Sequence, residues 1–278
     1  MHVLAITDCG ASEDALAGTV DRLVDRLGRE GRVGVVHYDA TIADGTASVP
    51  DRVPSGGDVT YELGADGDWA ATGTGLSVIE TLDTLATTCA YAVVVGVDSL
   101  RFPTVAVGSA QEAEPDESVI ATVEKPTEVD VEDVFERVSA SEAHVTLQSL
   151  VDRVTARPEA ELAGAVATFT GRVREKDGPD DAPTEYLEFE SYEGVADERM
   201  AAIRTDLEAR EDVHAVALHH RTGVVRNGED IVFVVVLAGH RDGAFRAVED
   251  GINRLKDEVP LFKKEVTVDD EFWVHDRS

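Results

Sequence analysis

The stretch "RLKDEVPLFKKEV", residues 254–266, decides how the second half of the chain folds. Leu255 ends an apolar stripe that begins at Phe245 and passes through Val248 and Ile252, the spacing of one helical face. Pro260 has no amide hydrogen and clashes with a preceding helical turn, so the helix stops just before it. "LFKKEVTV" then reads as a strand. Before the helix, "EDIVFVVVLAGH" (229–240) is a long β-branched run and reads as another strand. Strand, helix and strand follow one another with short joints, which is the pattern of a compact α+β unit.

Outward from there the rhythm continues. "VTLQSLVDRV" opens the unit, followed by strands "GAVATFTGRVR" (164–174) and "TEYLEFESY" (184–192). A helix follows over "VADERMAAIRTDLEAREDV", with Met200, Ile203 and Leu207 on one stripe. "HAVALHHRTGVV" (214–225) reads as one strand, and "EFWVHD" closes the chain. This second domain is assigned to residues 141–278, α+β with antiparallel strands. Residues 1–108 read as an α/β domain with a partly parallel sheet: strands "HVLAIT", "RVGVVHYD", "YAVVVGV" and "PTVAVG", and a helix with Val20, Leu23, Val24 and Leu27 on one face. "ATIADGTASVPDRVPSGGD" (40–58) reads as loop. Residues 109–140 hold few large apolar residues and many acids, and read as an acidic linker.

The chain has 278 residues and a formal net charge of −31. That charge repels phosphates, so nucleic acid and anionic membrane are excluded as partners of the surface as a whole. Acid spread over the whole length, with little lysine, fits a protein kept hydrated by carboxylates in a salt-rich cytosol; the alternative is a basic partner. Cys9 and Cys89 are the only cysteines and form no disulfide framework or metal-ligand spacing. With no leader pattern and no long apolar run, the protein is expected to be soluble and cytoplasmic, and no metal or cofactor is expected.

Two features bear on chemistry. "TDCGASEDAL" joins the first strand to the first helix, where a phosphate-binding loop would stand. Glu13 occupies the place of the lysine and Asp14 that of the hydroxyl residue, so a simple turn is the leading reading and a degenerate nucleotide site the alternative. The other feature is a positive island. Only five lysines exist, and three of them (256, 263, 264) fall within nine residues. Between Gly239 and Glu265, six Lys and Arg balance six Asp and Glu. Arg172 and Arg174 end one strand, and His240 and Arg241 end another at the start of a helix, where free N–H groups favour an anion. Lysine, unlike arginine, can serve as nucleophile or proton carrier when burial or neighbouring cations tune it, and Arg241 and a second lysine are candidates for that tuning. Strand alternation places Lys263 and Lys264 on opposite faces, so one of them is expected to share a pocket with Lys256. His219 and His220, adjacent on a strand, face opposite ways and read as structural, and Trp69 and Trp273 as packing.

The blocks "GAVATFTGRVR", "HHRTGVV", "EDIVFVVVLAGHRDGAF" and "RLKDEVPLFKKE" resemble the successive signature blocks of the catalytic subunit of molybdopterin synthase, the MoaE family. The resemblance covers residues 141–276 and implies an α/β hammerhead fold. It also implies a pocket of Arg172, Arg174, His240, Arg241, Lys256, Lys263, Lys264 and Glu265, with Lys256 critical for catalysis and Lys263 assisting. The reaction it implies is sulfur transfer to a cyclic pyranopterin monophosphate (precursor Z), giving the dithiolene of the molybdenum cofactor. The implied sulfur donor is a small ubiquitin-like partner of the MoaD type with a thiocarboxylated C-terminal Gly-Gly, bound to a homodimer of large subunits within a heterotetramer. A non-catalytic scaffold for such a partner or for the finished cofactor is the rival reading. The absence of cysteine from the second domain agrees with sulfur brought from outside. The first domain resembles the MobB family of molybdenum-cofactor guanine-dinucleotide adaptors, with a degenerate P-loop.

Overall fold

A computed structural model describes residues 1–38, 59–97, 100–109, 118–176, 178–192, 194–268 and 270–274. The chain divides into two units, Met1–Val145 and Thr146–Ser278.

The first unit holds β1 (His2–Cys9), α1 (Glu13–Gly28), β2 (Val33–His37), β3 (Val59–Leu63), β4 (Trp69–Gly73), α2 (Val78–Leu85), β5 (Tyr91–Val95), β6 (Thr104–Gly108), β7 (Val119–Val123) and α3 (Val131–Ala140). Its main sheet runs β2-β5-β1-β6-β7, and every pairing in it is parallel. Strands covered on both faces are apolar throughout, which is why β1, β5 and β6 show continuous runs and not alternation. α1 buries Val20, Leu23 and Leu27 against that sheet.

The segment expected to be a linker belongs to this unit. β7 extends the sheet beside β6, and Val134 and Val138 of α3 are fully buried in the same core. Arg26 of α1 pairs with Glu132 of α3 at 2.8 Å and lies 3.8 Å over the Phe135 ring. Within α3 the acids Glu132, Asp133 and Glu136 leave a separate stripe for Val134 and Val138, the pattern of an amphipathic helix whose apolar residues are spaced to reach the core. The boundary therefore falls at 145/146. The 40–58 loop lies outside the described residues. The hairpin β3–β4, with Trp69 61% exposed beside Tyr61, has no counterpart in the sequence reading, nor has α2.

The second unit holds α4 (Leu147–Thr155), β8 (Ala165–Arg172), β9 (Thr184–Ser191), α5 (Val195–Glu208), β10 (Val213–His220), β11 (Gly223–Arg226), β12 (Asp230–Ala238), α6 (Arg241–Glu258), β13 (Leu261–Thr267) and β14 (Glu271–Val274). All strand pairs are antiparallel, in two sheets ordered β10-β12-β8 and β11-β9-β13-β14. "HAVALHHRTGVV" is two strands, not one. The chain leaves the first sheet after His220 and enters the second at Gly223, whose φ of 69° suits glycine. β12, the central strand of its sheet, is buried from Ile231 to Ala238, and α5 and α6 pack over that sheet. α6 buries Ala244, Ala247, Val248, Gly251, Ile252 and Leu255. Phe245, expected in that stripe, is instead 64% exposed. Among the described residues no helix is long and apolar enough to cross a membrane.

Candidate active site

The axis of the site is α6. It leaves β12 through Gly239 and His240 and runs back along β12 and β8. Gly251 lies so close to the sheet that an added Cβ would sit 3.1 Å from Val234 Cγ1, near the middle of β12. The last turn of α6, with Lys256, therefore reaches the end of the sheet where β12 begins and β8 ends. There Asp230 pairs in register with Arg172.

Arg172 is held by its neighbours. Its Nε lies 3.1 Å from Asp230 Oδ1, and its terminal nitrogen donates to the Gly228 carbonyl. The guanidinium is still well exposed. β8 ends at Arg172, and exposed Arg174 follows buried Val173 beyond the strand.

Past Val259 and Pro260 the chain enters β13, and the two lysines there part company. Lys263 is opposite Phe189 and Glu265 opposite Leu187, so both share the core-side face of the sheet. Lys264 is opposite Glu188 on the other face, where its Nζ meets Glu271 at 2.9 Å. That hydrogen-bonded carboxylate pushes the Lys264 amine above its ordinary range. Glu265 accepts a 2.6 Å hydrogen bond from the buried Thr184 hydroxyl, which fixes β13 to β9. Lys256 is exposed in the last turn of α6, where unpaired helix carbonyls favour a cation.

His240 and Arg241 stand at the other end of the same helix. Fifteen residues at 1.5 Å rise put Arg241 about 22 Å from Lys256 along the axis. Within one chain, Arg241 cannot tune that lysine, contrary to the expectation above. Lys256 and Arg172 lie toward one end of α6, His240 and Arg241 stand at the other, and Lys264 faces away from Lys263.

One residue of this second cluster escaped the sequence reading. Asp212, at φ 76°, accepts the His240 backbone N–H at 2.9 Å through Oδ2 and faces His240 Nδ1 at 2.9 Å through Oδ1. The His240 hydrogen bonds hold the Asp212 carboxyl below the usual carboxylate range. A charged acceptor at Nδ1 fixes the proton there and turns Nε2 outward. Gly239 and Gly243 allow the approach, since a Cβ on either would fall 2.2 or 3.0 Å from an Asp212 carboxylate oxygen. The sequence signal was an Asp in the turn before a strand, a position that also suits an ordinary turn residue.

At the first unit's strand-to-helix junction, the helix N-terminus is already occupied by its own side chains. Ser12 caps α1 by accepting from Ala15 N at 3.2 Å, and Asp8 Oδ1 accepts from Ala11 N at 2.8 Å. The connection is three residues long, and Gly108 is packed so tightly on it that a Cβ would overlap Cys9 O.

The sequence profile of the family described as "MoaE protein" matches residues 140–258. A Haloferax volcanii protein named probable molybdopterin synthase is 47% identical over 280 residues, covering all of both chains. The chain belongs to the molybdopterin synthase family. The Bacillus subtilis molybdopterin synthase catalytic subunit is 34% identical to 51% of this chain, over 87% of its own length. The crystal structure of Bacillus subtilis MobB matches 51% of this chain and 100% of its own, at 15% identity and a TM-score of 0.37.

Proposed function

We propose that this protein is the catalytic subunit of molybdopterin synthase, moving sulfur from a thiocarboxylated carrier to a cyclic pyranopterin monophosphate to form the dithiolene. Full-length identity of 47% to a named synthase carries the reading. Lys256 and Lys263 flank the α6–β13 joint and are the residues assigned to catalysis. A dithiolene holds two sulfurs, so each product consumes two thiocarboxylates and releases two carboxylates. The cations Arg172 and Arg174 suit the substrate phosphate and the carrier's carboxyl. His240 and Arg241, about 22 Å away along α6, reach such a pocket only from a second copy, which supports a homodimer with one small carrier on each large subunit. The carrier is a ubiquitin-like protein ending in Gly-Gly. The acidic surface fits a salt-rich cytoplasm. In the first unit, the capped helix and the Glu13–Asp14 pair argue for a P-loop-like frame that has given up phosphate binding.

The test is sulfur transfer by purified protein with a thiocarboxylated carrier. Lys256→Ala should abolish product with little loss of stability, since Lys256 is exposed and alanine is the better helix former. Lys256→Arg keeps the charge but cannot give up a proton, and should be almost as inactive. Near-normal turnover by Lys256→Arg excludes proton transfer or nucleophilic attack by this side chain.

A further inference from the structure

Away from the lysines, α4, α5 and β10 enclose an open cavity of about 200 Å³ that shares no residue with the site above. Arg153, Arg157 and Arg204 line it, together with Asp197 and Met200. Three guanidiniums converging in a chain of 56 acids and 25 bases are out of keeping with the rest of its surface. Arg157 pairs with Glu208 at 3.5 Å. Arg153 and Arg204 have no carboxylate partner among the described residues. Desolvation pushes the Arg153 pKa down, and repulsion by Arg204 and Arg157 adds to it. Several exposed arginines elsewhere sit on a carboxylate, as Arg29 does on Asp25 and Arg137 on Asp133. Here like charges are held together beside surplus carboxylates.

We propose that this cavity is a binding site for a phosphate-type oxyanion. Guanidinium forks donate two parallel N–H groups, matching oxygens of a tetrahedral anion approached from several sides, whereas a planar carboxylate satisfies one fork. Two unpaired guanidiniums match the two charges of a phosphate monoester. The volume lies below the range for drug-sized ligands, so a small phosphate fits and a nucleotide does not. The anion could be a free small phosphate ester or a phosphoryl group on a peptide. The shared chemistry is the oxyanion.

Calorimetric melting of the full chain in molar potassium chloride tests this, with inorganic phosphate, glycerol phosphate, a phosphoserine peptide or acetate added at matched ionic strength. Phosphate should raise Tm saturably, by about 3–6 °C near saturation, and acetate should not. The double variant Arg153→Gln, Arg204→Gln should lose the response, and without phosphate it should melt no lower than wild type because repulsion is relieved. Whichever ester gives the larger shift names the source. Should the double variant fail to fold, Arg204→Gln alone, on an exposed helix position, must weaken phosphate-induced broadening of the phosphorus NMR signal. Absence of a saturable shift, an equal shift with acetate, or an undiminished response in the variants overturns the site.

Discussion

At the scale of single residues, His220 shows what burial costs a titratable group. Its ring packs edge-on against Phe189 at 4.8 Å between centroids, and Nδ1–H donates to the Arg221 carbonyl at 2.7 Å. Burial drives its pKa down to about 4. In the unfolded chain the imidazole takes a proton near 6.5. The folded state refuses that proton, so stability is complete above about pH 6.5 and falls as pH drops toward 4. The full loss is about 3 kcal/mol. Urea denaturation of wild type and His220→Gln at molar salt, from pH 7 to 4.5, should show the wild type losing stability more steeply, and parallel curves refute the assignment. The sequence reading of His219 and His220 as structural agrees with this packing. The partnership of Asp212 with His240 was not legible, because it spans 28 residues and exists only through the β10–β12 register.

Among elements, what could be read followed from periodicity. The apolar stripes of α1, α5 and α6 and the β-branched runs of β5, β6 and β12 mark their own burial. The split of β10 from β11 was hidden because the one breaker in His219–Val225, Gly223, also fits a bulge inside a single strand, and only sheet membership reveals the turn. α3 was missed because acids are interleaved with its apolar residues, although Val134 and Val138, with Val131 and Phe135 beside them, suffice to bury one face. The lysine and arginine groups were read as one island because they lie close in sequence, but a helix of 18 residues separates its two ends in space. α6 also makes a testable demand. Gly251 is buried where a Cβ would meet Val234 at 3.1 Å and Leu207 at 3.4 Å, so it sets how closely the helix lies on the sheet. Gly251→Leu should destabilise the unit by about 1–3 kcal/mol through overpacking, despite leucine's better helix propensity. By shifting the turn that carries Lys256, it should also lower sulfur transfer in the folded fraction. Unchanged urea midpoint and turnover would show that the close approach has slack.

For the whole molecule, charge governs association. A net −31 creates a repulsive field toward any acidic partner, and at low salt that field extends well beyond contact distance. The Debye length shrinks from about 10 Å at 0.1 M to about 3 Å at 1 M, so added salt removes long-range repulsion first. On the proposed function, a slim Gly-Gly tail reaching the cations beside Lys256 would make short, partly desolvated contacts that salt screens less. Ordinary steering between opposite charges weakens with salt; here a comparably acidic carrier should bind more tightly as potassium chloride rises from 0.1 to 1 M. The tail's length matters as well, because the reactive carbon must end beside the lysine. One residue added after the last glycine moves that carbon by about 3.8 Å and should abolish sulfur transfer even where binding persists. Titration calorimetry and product formation, measured across salt with native and extended carrier, separate the two effects. Binding that only weakens with salt refutes the charge argument, and full turnover with the extended tail refutes the placement of the reactive end beside Lys256.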